Sequence, residues 1–172
     1  KVCWLGTDRE LEAFTFIFLE NEHGLFQVHA YPFEHGLSTW IVECHEDTWK
    51  RAGLDQADEA RTVEYCTELF ADYLDGHRLL TNRSIWRTFP TITNERWHHG
   101  NVVLVGDAAH TAHFSIGSGT KLAMEDAIAL RDAFRDNSDA QVGDVLEAYH
   151  EARWLDCLKT QRAAQTSLEW FE

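Results

Sequence analysis

The sequence predicts an α+β fold in which an antiparallel sheet comes first and a single returning strand with long helices comes last. Three observations carry this expectation. Apolar residues alternate with period two up to Cys44, and after His45 the spacing becomes helical. A lone β-branched run, Val102 to Val105, then leads through a glycine-rich loop into helix.

Each element follows in order. Glu12 to Glu20 alternates, with Phe14, Phe16 and Phe18 on one face and Thr15 and Ile17 on the other, and the phenylalanines are assigned to the core. Leu25 to Tyr31 sets Leu25, Gln27, His29 and Tyr31 against Phe26, Val28 and Ala30, and Ser38 to Cys44 is another such run. The links Asn21-Glu22-His23-Gly24 and Glu34-His35-Gly36 are short and carry glycine, so the expectation is an antiparallel meander of three or more strands within Val2 to Cys44. Glu46 to Ala52 is a short helix. Ala57 to Leu74 places Ala60, Val63, Cys66, Phe70 and Tyr73 at helical spacing, and Asp75-Gly76 ends it. Ile85 to Trp97 is extended, with Pro90 forcing an edge or a bend.

Val102 to Val105 is expected as a buried strand. A helix from Ser118 to Phe134 turns Leu122, Ala127, Leu130 and Phe134 inward. Arg135 to Ala140 is a linker, and a long helix from Val142 to about Trp170 buries Val145, Leu146, Tyr149, Leu155 and Leu158.

The segment from Asn101 to Ala127 carries the chemistry. A strand breaks at Gly106-Asp107, passes through a loop of small residues and enters a helix, which is how α/β proteins place a polar cofactor at the carboxyl end of a strand. Asp107 can accept a hydrogen bond from a ligand hydroxyl. Gly117-Ser118-Gly119 lets backbone N–H groups approach an electron-rich ligand atom with no Cβ in the way. It is no dinucleotide fingerprint, because Leu122 stands at the third glycine position, and no P-loop, because no Gly-Lys-Ser/Thr follows.

Gly106-Asp107-Ala108-Ala109-His110, Gly117-x-Gly119 and Glu125-Asp126-Ala127 together resemble the second flavin-binding motif of the FAD-dependent aromatic hydroxylases typified by para-hydroxybenzoate hydroxylase. Phe114 stands where that family usually has proline, and Lys121 where it usually has asparagine. The run from His110 to Lys121 looks more like the branch acting on salicylyl-CoA and 2-aminobenzoyl-CoA, and the related tryptophan-pathway hydroxylases. Trp4-Leu5-Gly6-Thr7 and Ala13 to Phe18 also look like the CoA branch.

The resemblance implies a fragment of the two-domain flavin hydroxylase fold. Residues 1–97 would be the substrate-domain sheet with its connecting helices, and residues 98–172 the C-terminal part of the FAD-binding domain. It implies FAD as cofactor, NAD(P)H as electron donor, an aromatic substrate such as a CoA thioester, and the rest of the flavoenzyme N-terminal to Lys1. The family's N-terminal G-x-G-x-x-G, which holds the FAD pyrophosphate, is absent. By motif, the cofactor-binding residues would be Gly106, Asp107, Gly117, Ser118, Gly119 and Thr120. His113, Phe114 and Lys121 are candidates for catalysis near the flavin, and His29 and Tyr31 for lining the substrate pocket; a half-exposed sheet face explains the last two equally well. The alternatives are a non-catalytic truncated fragment unable to bind FAD alone, or a hydroxylase of a tryptophan-derived indole.

Composition sets the outer limits. A chain of 172 residues with 44% hydrophobic residues suffices for one ordinary domain and its core. A net charge of −14 argues against nucleic acid or an anionic membrane as partner, so any CoA phosphates would need a local cluster, for which Arg83, Arg87 and Arg96 are nominated. The four cysteines show no C-x-x-C spacing, which fits reduced thiols in a cytoplasmic protein. His110 and His113 lack a third ligand, so no metal is expected. His110 is expected instead to brace its loop. His98-His99 are expected at the surface or in a turn.

Overall fold

The computed structural model describes residues 1–171. They divide into two compact units, Lys1–Thr88 and Phe89–Phe171.

The first unit is a five-stranded antiparallel sheet of β1 (Val2–Thr7), β2 (Thr15–Asn21), β3 (Gly24–Glu34), β4 (Leu37–Cys44) and β5 (Leu79–Leu80), in the order β2-β3-β4-β1-β5. The period-two runs form strands because one face of each can be buried. That face carries Cys3, Leu5, Ile17, Phe26, Val28, Ala30, Trp40 and Val42, packed against Leu54, Cys66, Phe70 and Leu74 from the helical side. Three helices supply that side: α1 (Glu46–Arg51), α2 (Glu59–Leu69) and α3 (Ala71–Leu74). Asp58 caps α2 by accepting from the Arg61 N–H. The continuous helix expected to Leu74 breaks at Phe70, whose ring leaves the helical path to meet Trp40 edge-on at 6.0 Å.

One expectation reverses. Phe14, Phe16 and Phe18 do share a face, but it is the one away from the core, with 57%, 50% and 48% exposure. The register pairs Ile17 with Val28 and Phe16 with His29. The smaller Ile17 therefore enters the core, and the row of phenylalanines lies on the opposite face of an edge strand.

The second unit contains the hairpin of β6 (His98–His99) and β7 (Val102–Val103), two short 3₁₀ turns (Gly106–Ala108 and Phe114–Ile116), α4 (Gly119–Asp136) and α5 (Val142–Phe171). Its core joins Trp97, Ala109, Leu122, Ala133, Val145, Tyr149 and Cys157. Four sequence expectations change here. The strand at Val102 is two residues long and Val102 is 62% exposed, because β6 is its only strand partner among the described residues. Residues 85–97 make isolated bridges at Arg87 and Thr93 rather than a strand. On α4 the buried positions are Leu122, Asp126 and Ala133, while Ala127 and Phe134 face outward. On α5 the buried line runs Val145, Leu146, Tyr149, Arg153, Cys157, Gln161 and Ala164, and Leu155 is exposed. In both helices the true stripe includes charged or polar residues, which an apolar-only count passes over. No helix among the described residues is long and apolar enough to cross a membrane.

Candidate functional site

The Gly106–Asp107 turn is built by backbone constraints first. Gly106 has φ of +60°, and a Cβ there would come within 3.1 Å of the Ala123 Cβ on α4. Only glycine fits both the left-handed conformation and the close approach. The Gly106 carbonyl accepts from the N–H groups of Ala109 (2.8 Å) and His110 (3.0 Å), closing a tight turn. That turn buries Ala109 and His110 and leaves Asp107 exposed.

Beneath the turn lies a charged cluster. His110 Nε2 is 2.7 Å from Asp126 Oδ2, which also accepts from the Gly106 N–H at 3.0 Å. Arg153 Nε donates to Asp126 Oδ1 at 2.9 Å, and its Nη2 donates to Glu125 Oε2 at 3.0 Å. Asp126 is fully buried. Burial alone would push its carboxyl up, but hydrogen bonds from His110, Arg153 and Gly106 outweigh that and hold it below the usual carboxylate range. Cys157 Sγ lies 3.4 Å from His110 Nε2, and burial pushes its thiol up to about 11. His110, Asp126 and Cys157 are close enough to share a metal ion. Arg153 already directs Nε to Asp126 (2.9 Å) and Nη2 to Cys157 Sγ (3.6 Å), so two of these three groups have a cationic partner.

Side chains also clip the loop from outside. Asn94 Nδ2 donates to the carbonyls of Ala108 and Ala109, at 3.2 and 2.7 Å. Gln161 Nε2 donates to the carbonyls of Ile92 and Thr111, at 2.7 and 2.9 Å.

The loop then delivers the second element. His113 Nδ1 accepts from the Ser115 N–H at 3.4 Å, and its ring lies 4.4 Å from that of Phe114, which meets Phe89 edge-on at 5.4 Å. Gly117 is left-handed, and Ser118 precedes α4 without a side-chain capping bond. The Ser118 Oγ is buried with no hydrogen-bond partner among the described residues. The space where Gly117 and Gly119 would carry side chains is open. An 18-residue helix thus begins with uncapped N–H groups, a stranded hydroxyl and no acidic residue in its first turn. Such an end favours an electron-rich ligand atom. Thr120 is exposed in that turn. Lys121, also exposed, places Nζ 2.5 Å from Glu125 Oε1.

The residues nominated for the substrate pocket lie in the sheet unit. His29 Nδ1 is 2.8 Å from Glu43 Oε1, and both side chains are largely buried. Phe14 stacks on Tyr31 at 5.2 Å and on His29 at 6.1 Å, so His29 and Tyr31 belong to one aromatic face with Phe16 and Phe18. Arg83 and Arg87 are exposed in this unit, whereas Arg96 lies in the other and faces Glu147 at 3.8 Å. His98, expected at the surface, has a largely buried side chain with Nε2 2.8 Å from Glu147 Oε2.

Sequence reading passed over Arg153, Asn94, Gln161 and Glu43, and took Asp126 only as a motif letter. The available signal was position: Asp126 lies four residues after Leu122, and Arg153 four after Tyr149, each on its helix's inward line.

A family profile described as an FAD binding domain matches residues 4–161. The chain is 44% identical, over its whole length and 35% of the relative, to salicyloyl-CoA 5-hydroxylase from a Streptomyces species. It is 45% identical, over 98% of its length and 44% of the relative, to 3-hydroxy-4-methyl-anthranilyl-[aryl-carrier protein] 5-monooxygenase from Streptosporangium sibiricum. Among solved structures, a probable FAD-dependent monooxygenase from Pseudomonas aeruginosa superposes with a TM-score of 0.65 at 18% identity, over 95% of this chain and 47% of that one. The chain spans less than half the length of each.

Proposed function

The chain belongs to the FAD-binding domain family, and on that premise we propose that it is part of a cytoplasmic FAD- and NAD(P)H-dependent monooxygenase that hydroxylates an aromatic ring, most simply that of an aromatic acyl thioester. The observation that carries this reading is the paired arrangement of the glycine-locked turn presenting Asp107 and the uncapped start of α4 with its stranded Ser118 hydroxyl. The residues fit a flavin: Asp107 would accept from its sugar-chain hydroxyls, and the N–H groups from Gly117 to Thr120 would face the electron-rich edge of its ring. When bound, FAD would take electrons from the nicotinamide and activate dioxygen for transfer to the ring.

The chain's own part is to bind and orient. The α4 N-terminus stabilises negative charge at the cofactor edge. Phe114 and His113 offer apolar and hydrogen-bonding surface beside the loop. In the sheet unit, taken as the substrate domain, the stack of Phe14 on Tyr31 and His29 suits a flat aromatic ring, and Glu43 orients the His29 imidazole. The similarity to relatives named for CoA- and carrier-linked substrates supports a thioester. A thioester withdraws electrons from its ring, so an ortho hydroxyl or amino group is needed to keep that ring nucleophilic.

The test is NAD(P)H oxidation and product analysis by the full-length protein, with salicyloyl-CoA, 2-aminobenzoyl-CoA, the free acids and tryptophan-derived indoles. Hydroxylated thioester is the expected product. Product only from a free acid or an indole would defeat the thioester and keep the hydroxylase; no bound flavin would defeat both. These 172 residues alone are expected to hold FAD weakly or not at all, since no G-x-G-x-x-G is present for the pyrophosphate. A stoichiometrically yellow preparation would overturn that.

A further inference from the structure

The Gly106–Asp107 turn has little regular structure behind it. The strand that leads to it is two residues long. What fixes the turn is a side chain from α4. Asp126 Oδ2 accepts from the N–H of Gly106 (3.0 Å) and lies 2.7 Å from His110 Nε2, the two residues that bracket Asp107. Its other oxygen accepts from Arg153 Nε on α5 at 2.9 Å. A carboxylate held on both oxygens from three directions cannot rotate away from any one partner.

We propose that Asp126 is a positioning residue of the cofactor site: anchored by Arg153, it clamps the Gly106 N–H and the His110 ring, and so fixes Asp107 against the start of α4. The proposal rests on the flavin-site reading and adds to it the group that sets the geometry.

No backbone group can substitute. Gly106 lies against the side of α4 at Ala123, and carbonyls in a helix interior are already used within the helix. Only a side chain can accept the Gly106 N–H there, and an unpaired buried donor is costly. The clamp extends to the first turn of α4. Glu125 Oε2 accepts from Arg153 Nη2 at 3.0 Å, while its Oε1 takes Lys121 Nζ at 2.5 Å. The residue pair Glu125-Asp126 therefore ties α5 to both halves of the candidate site through one guanidinium. A buried ion pair is seldom the most stabilising way to fill a core. Retaining one is understandable where an acceptor is needed at a fixed point.

The experiment uses two charge-neutral double variants of the full-length protein, Asp126→Ala with Arg153→Met and Asp126→Asn with Arg153→Met. Neither leaves a lone buried charge. They differ in whether residue 126 can still accept the Gly106 N–H. FAD affinity, read by flavin-fluorescence titration, is expected to be at least about tenfold weaker for the alanine pair than for the asparagine pair, the scale of one lost hydrogen bond. The alanine pair should unfold no more than a few degrees below the asparagine pair as apoprotein, the cost of one unpaired buried donor. Equal affinities overturn the proposal while leaving the flavin reading intact. Wild-type protein that binds no FAD overturns the flavin reading instead. Should either double variant fail to fold, hydrogen exchange in wild-type apoprotein decides. A Gly106 amide as protected as those of α4 supports the clamp, and one that exchanges as fast as the exposed loops removes it.

Discussion

The two units bury polar groups in opposite ways. In Lys1–Thr88, the sheet keeps its helix-facing side uncharged and sends its buried His–carboxylate pair, His29 with Glu43, to the other face among the aromatics. In Phe89–Phe171, the His–carboxylate pair of His110 with Asp126 lies in the core itself, joined by Arg153. A sheet has two faces and can divide labour between them. A turn pressed on a helix has one contact surface, so there the stabilising residues and the proposed binding residues are the same or adjacent. Substitutions should therefore separate stability from ligand handling in the first unit and confound them at the buried positions of the second, such as Asp126.

The largest effect should break the second unit. Asp126→Ala alone leaves Arg153 buried without its main counter-charge and should cost about 3–5 kcal/mol in urea unfolding of the full-length protein. The acid side offers a finer reading. Hydrogen bonding lowers the Asp126 carboxyl below its unfolded value of about 3.9. Its stabilisation is thus fully present above that value and is lost as pH falls through the lowered native one. The stability gap between wild type and Asp126→Asn should narrow as pH falls below about 4. A gap that widens towards acid would mean the carboxylate is not the stabilised form.

Ile17→Ala comes next, with an expected cost of about 2–4 kcal/mol from the helix-facing side of β2. Third is Asp107→Ala, which should weaken FAD binding by about 1–3 kcal/mol and leave unfolding unchanged. A flavin titration indistinguishable from wild type would remove Asp107 from the site. Last is Phe16→Ala, which should cost about 1 kcal/mol of stability or less, because its ring is half exposed on the aromatic face beside Phe18. Its effect should appear instead in the KM for an aromatic substrate. A loss as large as that of Ile17→Ala would erase the division between the two faces.

The sequence shows this division only partly. Alternation located β2, β3 and β4 and paired their side chains correctly, because period two is a backbone property that needs no partner. It could not say which face of β2 is inward. Both faces carry apolar residues, and the choice depends on the register with β3. The α4 start at Ser118 was legible from the flanking glycines. The clamp was not: Gly106, Asp126 and Arg153 are far apart in the chain, and a buried charge looks like a surface charge until the helix beside it is in place. Clips such as Asn94 and Gln161 bond to backbone carbonyls, which have no sequence identity to search for.

The approach of Gly106 to Ala123 bears on how sequences of this kind can drift. A Cβ at position 106 would stand 3.1 Å from the Ala123 Cβ, and the same narrow gap limits what position 123 can become. An alignment of functional relatives should therefore hold small residues at 123 wherever it holds a residue with a Cβ at 106. A side chain at 106 beside anything larger than alanine at 123 would mark a copy whose turn has been rebuilt, and that pair of columns would sort such copies without any assay.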